Sequence, residues 1–564
     1  MIAASRMKRF PEAILSTSAA AAKRVIAVVK ETFRSFSSGP GITRMRAQSA
    51  KNPKQSAAKS QVSIISCCTV GKRGIYQYCH LPSIFISTAQ ILRQMPPSYL
   101  GKILLRWCDH CHAPVLAEQC ACGAVTRSVP VTPPGDARPA FPADIALINQ
   151  IYTDHFGAPL IPEGYLALLN KVPDRDRMEE IIVGGGIAGI IRYFPEQRRW
   201  EPVPRPEACT LFTPKKRFIV VDDGAVPFIR DQGMSVLAPG LVSIHEEVRA
   251  GDEVFILTKD GTCIAVGRAK VDASVARELK KGQIVRTRRN IASTIVPGAA
   301  SWDDAVQANA EVLKKTEASA VLFVQEVAGR NKDLVANVSY SGGKDSLATL
   351  LVVLKAIGKV PMLFADTGLE FPETYTNIDY AARHYGLELI RSDGTTTFWE
   401  TFERQGPPAV NARWCCKVCK LTPVGNLIRE NWGQCLSFIG QRRYESAARA
   451  QSERVWRNKN VRAQLSAAPI HNWTALHVWL YLMQEKAPNN VLYEHHLDRI
   501  GCFMCPSSDM ALIHRIEDEY PELWKGWLAK LEQYRVAHGL PAEWITEGKW
   551  RLVEGCADDE DSHY

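Results

Sequence analysis

The sequence of 564 residues, with 46% hydrophobic and 23% charged residues, has the length of roughly four domains and the composition of a globular protein with real cores. No stretch approaches the roughly 18 consecutive apolar residues of a membrane span, so we expect no membrane partner. The net charge of +10 arises in residues 1–94, which hold fifteen Lys and Arg against two acids. The remaining chain is slightly acidic, so a general affinity for nucleic acid is not indicated.

Residues 1–94 are rich in Ser, Ala and Lys and show no sustained periodicity. Three interpretations remain: a disordered basic tail, an organelle-targeting peptide, or translated sequence upstream of the true start. We favour the last, a mis-assigned start with Met95 as the true one, because orderly sequence begins at once in residues 99–107.

Two close cysteine pairs follow in the segment 95–125, Cys108-x-x-Cys111 and Cys120-x-Cys122. Such pairs on knuckle turns can supply four thiolates to a tetrahedral zinc and leave no open position for chemistry. We therefore predict a structural zinc ribbon, with an iron site or chance cysteines as alternatives, and expect His110 and His112 to be exposed. Most of the sixteen cysteines cluster at short spacings, which indicates a reducing, cytoplasmic compartment.

Residues 126–213 are predicted to form a small α+β connecting domain. Its first clear element is a helix from Ala143 to about Phe156, and a weaker helical pattern follows at 162–170. These elements carry no residue to which we assign chemistry.

The glycine run at 184–189 formally fits G-x-G-x-x-G. A dinucleotide site would need a helix after this run, but the following sequence is strand-like and interrupted by prolines. Two strands at 181–183 and 187–194, joined by a glycine turn, fit the sequence better.

Residues 214–292 show short β segments at regular spacing, separated by Asp-Gly and Pro-Gly turns. Their pattern resembles the PUA domain, a small β-barrel found mostly in RNA-modifying enzymes. The basic segment that ends this region suits phosphate contact, and we assign possible tRNA binding to Arg286, Arg288 and Arg289. A barrel that acts only as a spacer is the alternative.

The central stretch of the chain combines a strand, a glycine loop and a helix start. In order, the pattern predicts one helix at 302–327 within a helical linker at 293–330, a buried strand at 335–339, a glycine loop at 340–344 and a helix at 345–357. Free N–H groups and the dipole at a helix start attract phosphate. Lys344 adds a positive charge, and Ser341 and Ser346 add hydroxyl donors. A glycine turn without a ligand is the alternative.

This loop, Ser341-Gly-Gly-Lys-Asp-Ser346, resembles the PP-loop of the ATP pyrophosphatase and phosphoadenosine phosphosulfate (PAPS) reductase superfamily. The resemblance implies an adenine nucleotide alpha hydrolase-like fold and nucleotide binding by Ser341, Gly342, Gly343, Lys344, Asp345 and Ser346. Lys344 is also a catalytic candidate. Further β-α alternation predicts an α/β domain with a parallel doubly wound sheet and ligands at the carboxyl ends of its strands.

The segment that begins at Asp366, Asp-Thr-Gly-Leu-Glu-Phe-Pro-Glu-Thr-Tyr, resembles the signature of the PAPS and APS reductase family. The resemblance continues to about residue 510, and we assign a catalytic domain to 331–535 and a C-terminal tail to 536–564. It implies that Asp366, Thr367 and Gly368 contribute to the nucleotide pocket. It also implies an arginine motif that binds phosphate or sulfonate oxygens through Arg442, Arg443 and Arg449. A solvated helix face is the alternative for these arginines.

The second cysteine group resembles the [4Fe-4S] ligand set of APS reductases, a vicinal pair plus C-x-x-C. By that match the iron-sulfur ligands are Cys415, Cys416, Cys502 and Cys505. Lys420 aligns with a lysine near the cluster, where its charge would stabilise reduced sulfur. A second zinc site or buried free thiols are the alternatives.

The sequence departs from the reductases in three places. Cys419 stands where the family usually has arginine, so it is either a replacement ligand or a reactive thiol. The catalytic cysteine of the family lies in Glu-Cys-Gly-x-His, whereas this chain reads Glu554-Gly-Cys556, followed by an acidic run that would slow thiolate formation. Lys344 completes the PP-loop motif, whereas the reductases of this family generally do not keep its lysine. Cys556 and Cys419 are the candidate nucleophiles.

Two functions follow from these patterns. The leading hypothesis is an iron-sulfur PAPS or APS reductase that forms a cysteine thiosulfonate and releases sulfite to a thiol or ferredoxin-like electron donor. The alternative is a PP-loop sulfur transferase that uses ATP, with Mg²⁺ held by Asp345 or Asp366, to thiolate tRNA. A nonenzymatic RNA-binding scaffold would leave the loop, the arginines and the second cysteine set unexplained.

Overall fold

The computed structural model describes residues 100–291 and 293–552. Our expectations for residues 1–94, for Met95 and for Cys556 lie outside the described residues. No helix in the described part of the chain combines the length and apolar character needed to cross a membrane. The described strands form four sheets, and each predicted domain with β structure contains one of them.

The first sheet has three antiparallel strands in the order β2-β1-β3. They are β1 (Arg106–Cys108), β2 (Ala113–Val115) and β3 (Arg127–Ser128). Trp107 is buried at the centre of this ribbon, in a hydrophobic core that continues into the catalytic domain and includes Leu347. The ribbon is therefore packed against the catalytic domain.

The connecting domain is a five-stranded antiparallel sheet, in sequence order, with one long helix. Its elements are β4 (Arg138–Pro139), α1 (Pro142–Phe156), β5 (Ala167–Lys171), β6 (Met178–Val183), β7 (Gly186–Phe194) and β8 (Arg199–Pro204). The weak helical pattern at 162–170 was wrong, because Ala167–Lys171 pairs with β4 and β6 on both sides. The glycine turn is the β6–β7 hairpin, as predicted.

The third sheet has six strands in the order β10-β14-β13-β12-β9-β11 and confirms the PUA-like barrel. The elements are β9 (Phe218–Val221), α2 (Val226–Gln232), β10 (Val236–Leu237), β11 (Leu241–Ile244), β12 (Glu253–Leu257), β13 (Cys263–Ala269), α3 (Ala273–Glu278) and β14 (Gln283–Asn290). Phe156 of α1 packs edge-on against Phe255 with ring centroids 5.0 Å apart. The connecting and PUA domains thus share one core.

The linker contains two helices instead of the single one predicted, α4 (Trp302–Ala308) and α5 (Ala310–Arg330). The helix breaks at Asn309, which lies between them. Its side chain accepts a hydrogen bond from the Leu116 N–H at 2.9 Å and donates one to the Pro114 carbonyl at 2.8 Å. Contact with the ribbon therefore decides where the first helix ends.

The catalytic sheet has the order β17-β16-β15-β18-β20-β19 and is parallel except for its edge strand β19. The strands are β15 (Val335–Ser339), β16 (Met362–Asp366), β17 (Leu389–Asp393), β18 (Cys435–Ile439), β19 (Val455–Arg457) and β20 (Gln464–Ala467). This order, which runs outward in both directions from β15, confirms the doubly wound fold.

Helices cover both faces of this sheet and extend beyond it. They are α6 (Lys344–Ile357), α7 (Pro372–Tyr385), α8 (Thr395–Gln405), α9 (Trp414–Cys416), α10 (Thr422–Trp432), α11 (Ala447–Gln451), α12 (Ala475–Gln484), α13 (Met510–Glu519), α14 (Pro521–Ala537) and α15 (Glu543–Thr546). Part of the predicted tail is packed, since the buried Trp550 ring contacts Trp527 at a centroid distance of 5.3 Å.

Candidate active site

The glycine loop turns sharply between β15 and α6. Gly342 has φ of +73°, and a Cβ there would lie 3.0 Å from the Thr374 side chain, so both conformation and space favour glycine. The Ser346 hydroxyl accepts from the Ser341 N–H at 3.2 Å and donates to the Gly343 carbonyl at 2.8 Å. The loop therefore folds back over the start of its own helix.

A buried chain of charges surrounds Asp345 at this helix start. Its carboxylate pairs with Lys344 Nζ at 2.9 Å and with Arg442 Nε at 2.6 Å. Arg442 extends the chain to Asp136, at 2.9 Å, in the connecting domain. Burial would raise the pKa of Asp345, but the charges of Arg442 and Lys344 hold it below its usual value.

The three arginines of the predicted motif occupy different environments. Arg442 is buried between two carboxylates, so it is an anchor of the loop, and its direct contact with phosphate stays a prediction. Arg443 donates from Nε to the Leu100 carbonyl at 2.8 Å and is not part of the cavity wall. Arg449 lies on the cavity wall and is ion-paired with Glu445.

Gly440, at the end of β18, permits this arrangement. A Cβ at this position would lie 2.5 Å from the backbone carbon of Asp345, closer than real Cβ contacts come. The arginine segment can therefore cross directly over the loop only because residue 440 is glycine.

A cavity of about 1060 Å³ opens beside the loop. Its wall includes Ser341, Gly343, Lys344, Asp345, Ser346, Arg449, Lys420 and Arg499 from the catalytic domain. The connecting domain contributes the β5–β6 hairpin, including Lys171 and Arg175. Sequence reasoning missed this hairpin, although its alternating charges at 174–177 were a visible signal.

Ion pairs attach this hairpin to the segment that carries Cys502 and Cys505. Lys171 lies 3.3 Å from Asp498 and 2.8 Å from Asp509, and Arg177 lies 3.4 Å from Asp498. These contacts join residues more than 300 positions apart. The connecting domain therefore helps to position the second cysteine set.

The four cysteines of the second set come from two segments that are distant in the sequence. Cys415 and Cys416 belong to α9, and Cys502 and Cys505 lie on the loop before α13, where the Cys505 N–H donates to the Cys502 carbonyl. Their thiols interact electrostatically with one another. A hydrogen bond from Cys415 and the nearby charge of Lys420, together with other cations, lower the pKa of Cys416 to about 6 despite burial.

This donor set fits a multinuclear cluster better than a single ion. In the described ranges 100–291 and 293–552, only the first cysteine set has its sulfur atoms within 4.8 Å of one another. Four converging thiols next to cations are the ligands that an iron-sulfur cluster uses. The charge of Cys502 raises the pKa of Lys420, so that side chain stays protonated.

Asp366, Thr367 and Gly368 lie beside these cysteines and are not part of the cavity wall. Asp366 accepts hydrogen bonds from the Tyr375 hydroxyl at 2.8 Å and the Gly368 N–H at 2.9 Å. Thr367 donates to Glu370 at 2.8 Å, and its hydroxyl lies 3.6 Å from the Cys502 sulfur. These bonds order the loop next to the cysteine set, and nucleotide contact stays a prediction.

Of the two candidate nucleophiles, only Cys419 belongs to the described residues, and it is not on the cavity wall. Cys419 is buried, and burial raises the pKa of its thiol to about 12. These properties disfavour a reactive thiolate. Cys556 lies outside the described residues.

The first cysteine set is compact enough to hold a single metal ion. The four sulfur atoms of Cys108, Cys111, Cys120 and Cys122 lie within 4.8 Å of one another. The Cys111 N–H points at the Cys108 sulfur at 3.4 Å, as in a knuckle turn. His112 is only partly exposed, contrary to our expectation, because its ring packs where a side chain on Gly298 would lie.

Replacing Cys108 with serine is expected to release the metal and lower the thermal unfolding midpoint of the whole described unit. A structural zinc contributes roughly 10 kcal/mol of folding energy in small zinc domains, and this ribbon shares a core with the catalytic domain. Metal analysis and thermal unfolding would measure both effects. Cys209→Ser, outside both cysteine sets, is the matched control, and equal metal content in the two variants would contradict the assignment.

Comparison with known proteins agrees with this architecture. Residues 335–508 match the family model described as phosphoadenosine phosphosulfate reductase domain, and residues 217–291 match the PUA domain. The chain is 39% identical over 468 residues to Uncharacterized protein MJ0066 of Methanocaldococcus jannaschii, covering 80% of this chain and 97% of that protein. The fold and the site thus define a PP-loop protein with a PUA domain.

Two further similar proteins are named as reductases. Adenosine 5'-phosphosulfate reductase of Staphylococcus haemolyticus is 27% identical over 173 residues, which cover 30% of this chain and 68% of that protein. The solved PAPS reductase of Candida auris is 21% identical and covers 35% of this chain and 96% of that chain, with a TM-score of 0.28. The chain belongs to the PAPS/APS reductase family of the PP-loop superfamily, in the form with an N-terminal zinc ribbon and a PUA domain.

Proposed function

We propose that the chain is an iron-sulfur enzyme that binds an adenylyl sulfonucleotide and reduces it to sulfite through a cysteine thiosulfonate. One observation carries the proposal: the anion-binding loop at 341–346 and the cations beside the second cysteine set, Lys420 and Arg499, line the same cavity. A nucleotide phosphate and a reactive sulfur group can therefore occupy a single site.

The loop would hold the nucleotide phosphate through its N–H groups, the helix dipole and the hydroxyl of Ser341. Lys344 is paired with Asp345, so it would either exchange this partner for phosphate oxygens or attract the phosphate through its charge without direct contact. Arg449 would make a similar exchange from Glu445. Asp366, Thr367 and Gly368 would support the pocket from the next strand end.

The chemical step would be a displacement at sulfur. A cysteine thiolate attacks the sulfonate sulfur, the bond between that sulfur and the phosphate oxygen breaks, and the nucleotide phosphate leaves with the electron pair. An external thiol then attacks the cysteine sulfur of the thiosulfonate and releases sulfite, with formation of a disulfide. The two electrons that reduce the sulfur come from these thiols, and a second thiol or a ferredoxin-like donor regenerates the cysteine.

Cys556 is the preferred nucleophile. Arg551 lines the cavity, and Cys556 follows it by five residues, which span at most roughly 17 Å when extended. This reach is enough to enter a cavity that begins at Arg551. The burial of Cys419 leaves it as the weaker candidate.

Cys415, Cys416, Cys502 and Cys505 would hold the [4Fe-4S] cluster. When bound, such a cluster supplies a polarisable, charged group next to the substrate sulfur. Two neighbouring residues would support the cluster. Lys420 would balance negative charge between the cysteine set and the cavity. Thr367, held by its hydrogen bond to Glu370, would keep its loop next to the Cys502 sulfur.

A second candidate is an ATP-dependent sulfur transferase that thiolates tRNA. Two observations favour it. The PP-loop is complete with Lys344, and none of the described residues that line the cavity is a cysteine. Asp345 or Asp366 would help to hold Mg²⁺, and the PUA domain would bind tRNA. The zinc ribbon would remain structural in either function.

One comparison separates the two functions. Anaerobically purified protein should release sulfite from APS or PAPS in the presence of a thiol donor, and should release no pyrophosphate from ATP. The second candidate requires the reverse, with pyrophosphate released only when tRNA is present. Cys556→Ser should abolish sulfite release while the protein retains bound nucleotide, and undiminished release would remove Cys556 from the mechanism.

Combined substitution of Arg286, Arg288 and Arg289 with alanine is expected to weaken tRNA binding and flatten its salt dependence. Each lost phosphate contact removes roughly 0.9 from the slope of log affinity against log salt. Arg288 is already paired with Glu253 at 2.6 Å, so it should contribute least. Filter binding across salt concentrations would measure the slope. Lys259→Ala, a surface cation of the same domain paired with Asp223, is the control, and an unchanged slope in the triple variant would refute RNA contact here.

A further inference from the structure

Most cations on the cavity wall already have partners among the described residues. The pairs are Arg138 with Asp144, Lys171 with Asp498 and Asp509, Arg175 with Glu196, Lys344 with Asp345, Arg442 with Asp136 and Asp345, Arg449 with Glu445, and Arg551 with the Pro506 carbonyl. Of the other two cations on this wall besides Arg499, Arg413 bonds the Ser507 hydroxyl, and Lys420 interacts electrostatically with the second cysteine set. Arg499 differs from the paired cations. Within the described ranges its guanidinium makes no hydrogen bond and no ion pair, although it lines the same cavity.

The position of Arg499 connects the two functional parts of the site. Its Nη2 lies 3.7 Å from the place of a Cβ on Gly501, so the guanidinium rests over the backbone just before Cys502. The next residue, Ile500, has its Cβ 3.9 Å from the corresponding place on Gly343 of the loop. Arg499 therefore stands where the anion-binding loop and the second cysteine set meet.

The guanidinium stays charged in this position. The neighbouring protein atoms would lower its pKa, but the nearby Cys505 and Asp498 raise it. The side chain is exposed and lines the cavity, so its unpaired donors are open to an anion that enters there. Its planar fork matches two oxygens of a tetrahedral oxyanion such as a sulfonate or phosphoryl group.

We propose that Arg499 is a specificity-determining residue that binds the tetrahedral oxyanion at the far end of the nucleotide's phosphate chain. The inference rests on the proposed function, because it requires the nucleotide phosphate to occupy the loop. A sulfonate of an adenylyl sulfate and a terminal phosphate of ATP share this chemistry. Arg499 would discriminate either ligand from AMP, which lacks the distal group.

The test is equilibrium binding of AMP, APS and ATP to the anaerobically purified full chain and to Arg499→Ala. Loss of a charge-assisted bidentate contact should weaken binding of the ligand with the distal oxyanion by about 10- to 100-fold. AMP binding should change less than about twofold, because the loop is untouched. Arg499→Lys should recover part of the loss, and iron content should equal that of the wild type. A merely structural role would not separate AMP from the longer ligands.

Arg175→Ala is the matched control, since Arg175 lines the same cavity but is paired with the exposed Glu196. A loss confined to APS assigns the sulfonate to Arg499, and a loss confined to ATP assigns the phosphoryl group and favours the second function. Equal losses for all three ligands, or no loss for any, would overturn the role of Arg499 without refuting the proposed function. Failure of the wild type to bind any of the three would refute the proposed function as well.

Discussion

Cys502→Ser is expected to reduce bound iron to background and to abolish sulfite release. Cys502 belongs to the thiol set that fits a cluster, and the Thr367 hydroxyl lies 3.6 Å from its sulfur. Serine preserves the shape of the side chain but provides a poor iron ligand, so a cubane cluster would lose one of its four attachments. Iron analysis and the visible absorption of anaerobically purified protein would measure the loss.

Cys419→Ser is the matched control for this experiment. Cys419 interacts electrostatically with Cys502 and Cys416, but it is buried and outside the predicted ligand set. The control should keep its iron. If Cys419→Ser loses iron and Cys502→Ser keeps it, the ligand set derived from the family resemblance is wrong and Cys419 is a ligand.

Arg442→Ala is expected to destabilise the protein by about 3–5 kcal/mol, the usual cost of leaving buried carboxylates without their cation. Arg442 holds Asp345 at 2.6 Å and Asp136 at 2.9 Å, and it is itself almost completely buried. Its loss should also disorder the helix start and weaken nucleotide binding. Chemical unfolding would measure the first effect, and equilibrium binding of APS the second.

The neighbouring Arg443→Ala is the control. Among the described residues the Arg443 guanidinium bonds only the Leu100 carbonyl, so its loss should cost about 1 kcal/mol. The loss of folding stability at acid pH provides a second readout for Arg442→Ala. Asp345 has a pKa below the ordinary 3.8 in the folded state, so its stabilisation is present above 3.8 and is lost as the pH falls through the lower folded-state value. Arg442→Ala should lose less stability over that acid range than the wild type. Equal costs for the two arginine variants would contradict the anchoring role.

The loop and its flanking elements could be predicted almost to the residue. Val335–Ser339 is the strand, and the helix begins at Lys344, because a short apolar run, two glycines and a helical apolar pattern are local signals. The first cysteine set was predictable for the same reason, since its ligands lie within fifteen positions of one another.

The errors arose where partners distant in sequence decided the local structure. Residues 167–171 form a strand because two neighbouring strands pair with them, which outweighs a weak helical pattern. The linker helix stops at Asn309 because the ribbon offers that side chain better hydrogen bonds than a continued helix would.

The sequence by itself determined the domain types, the anion-binding loop and the two cysteine sets, because these depend on spacing and on residue chemistry over short stretches. Only the tertiary structure decided that Arg442 is an anchor held by Asp136, 306 positions away. It also decided that a hairpin of the connecting domain forms part of the cavity wall and that Arg499 has no hydrogen-bond or ion-pair partner among the described residues. The physical reason is that the pairing of buried charges follows from packing between domains, which short-range patterns do not specify.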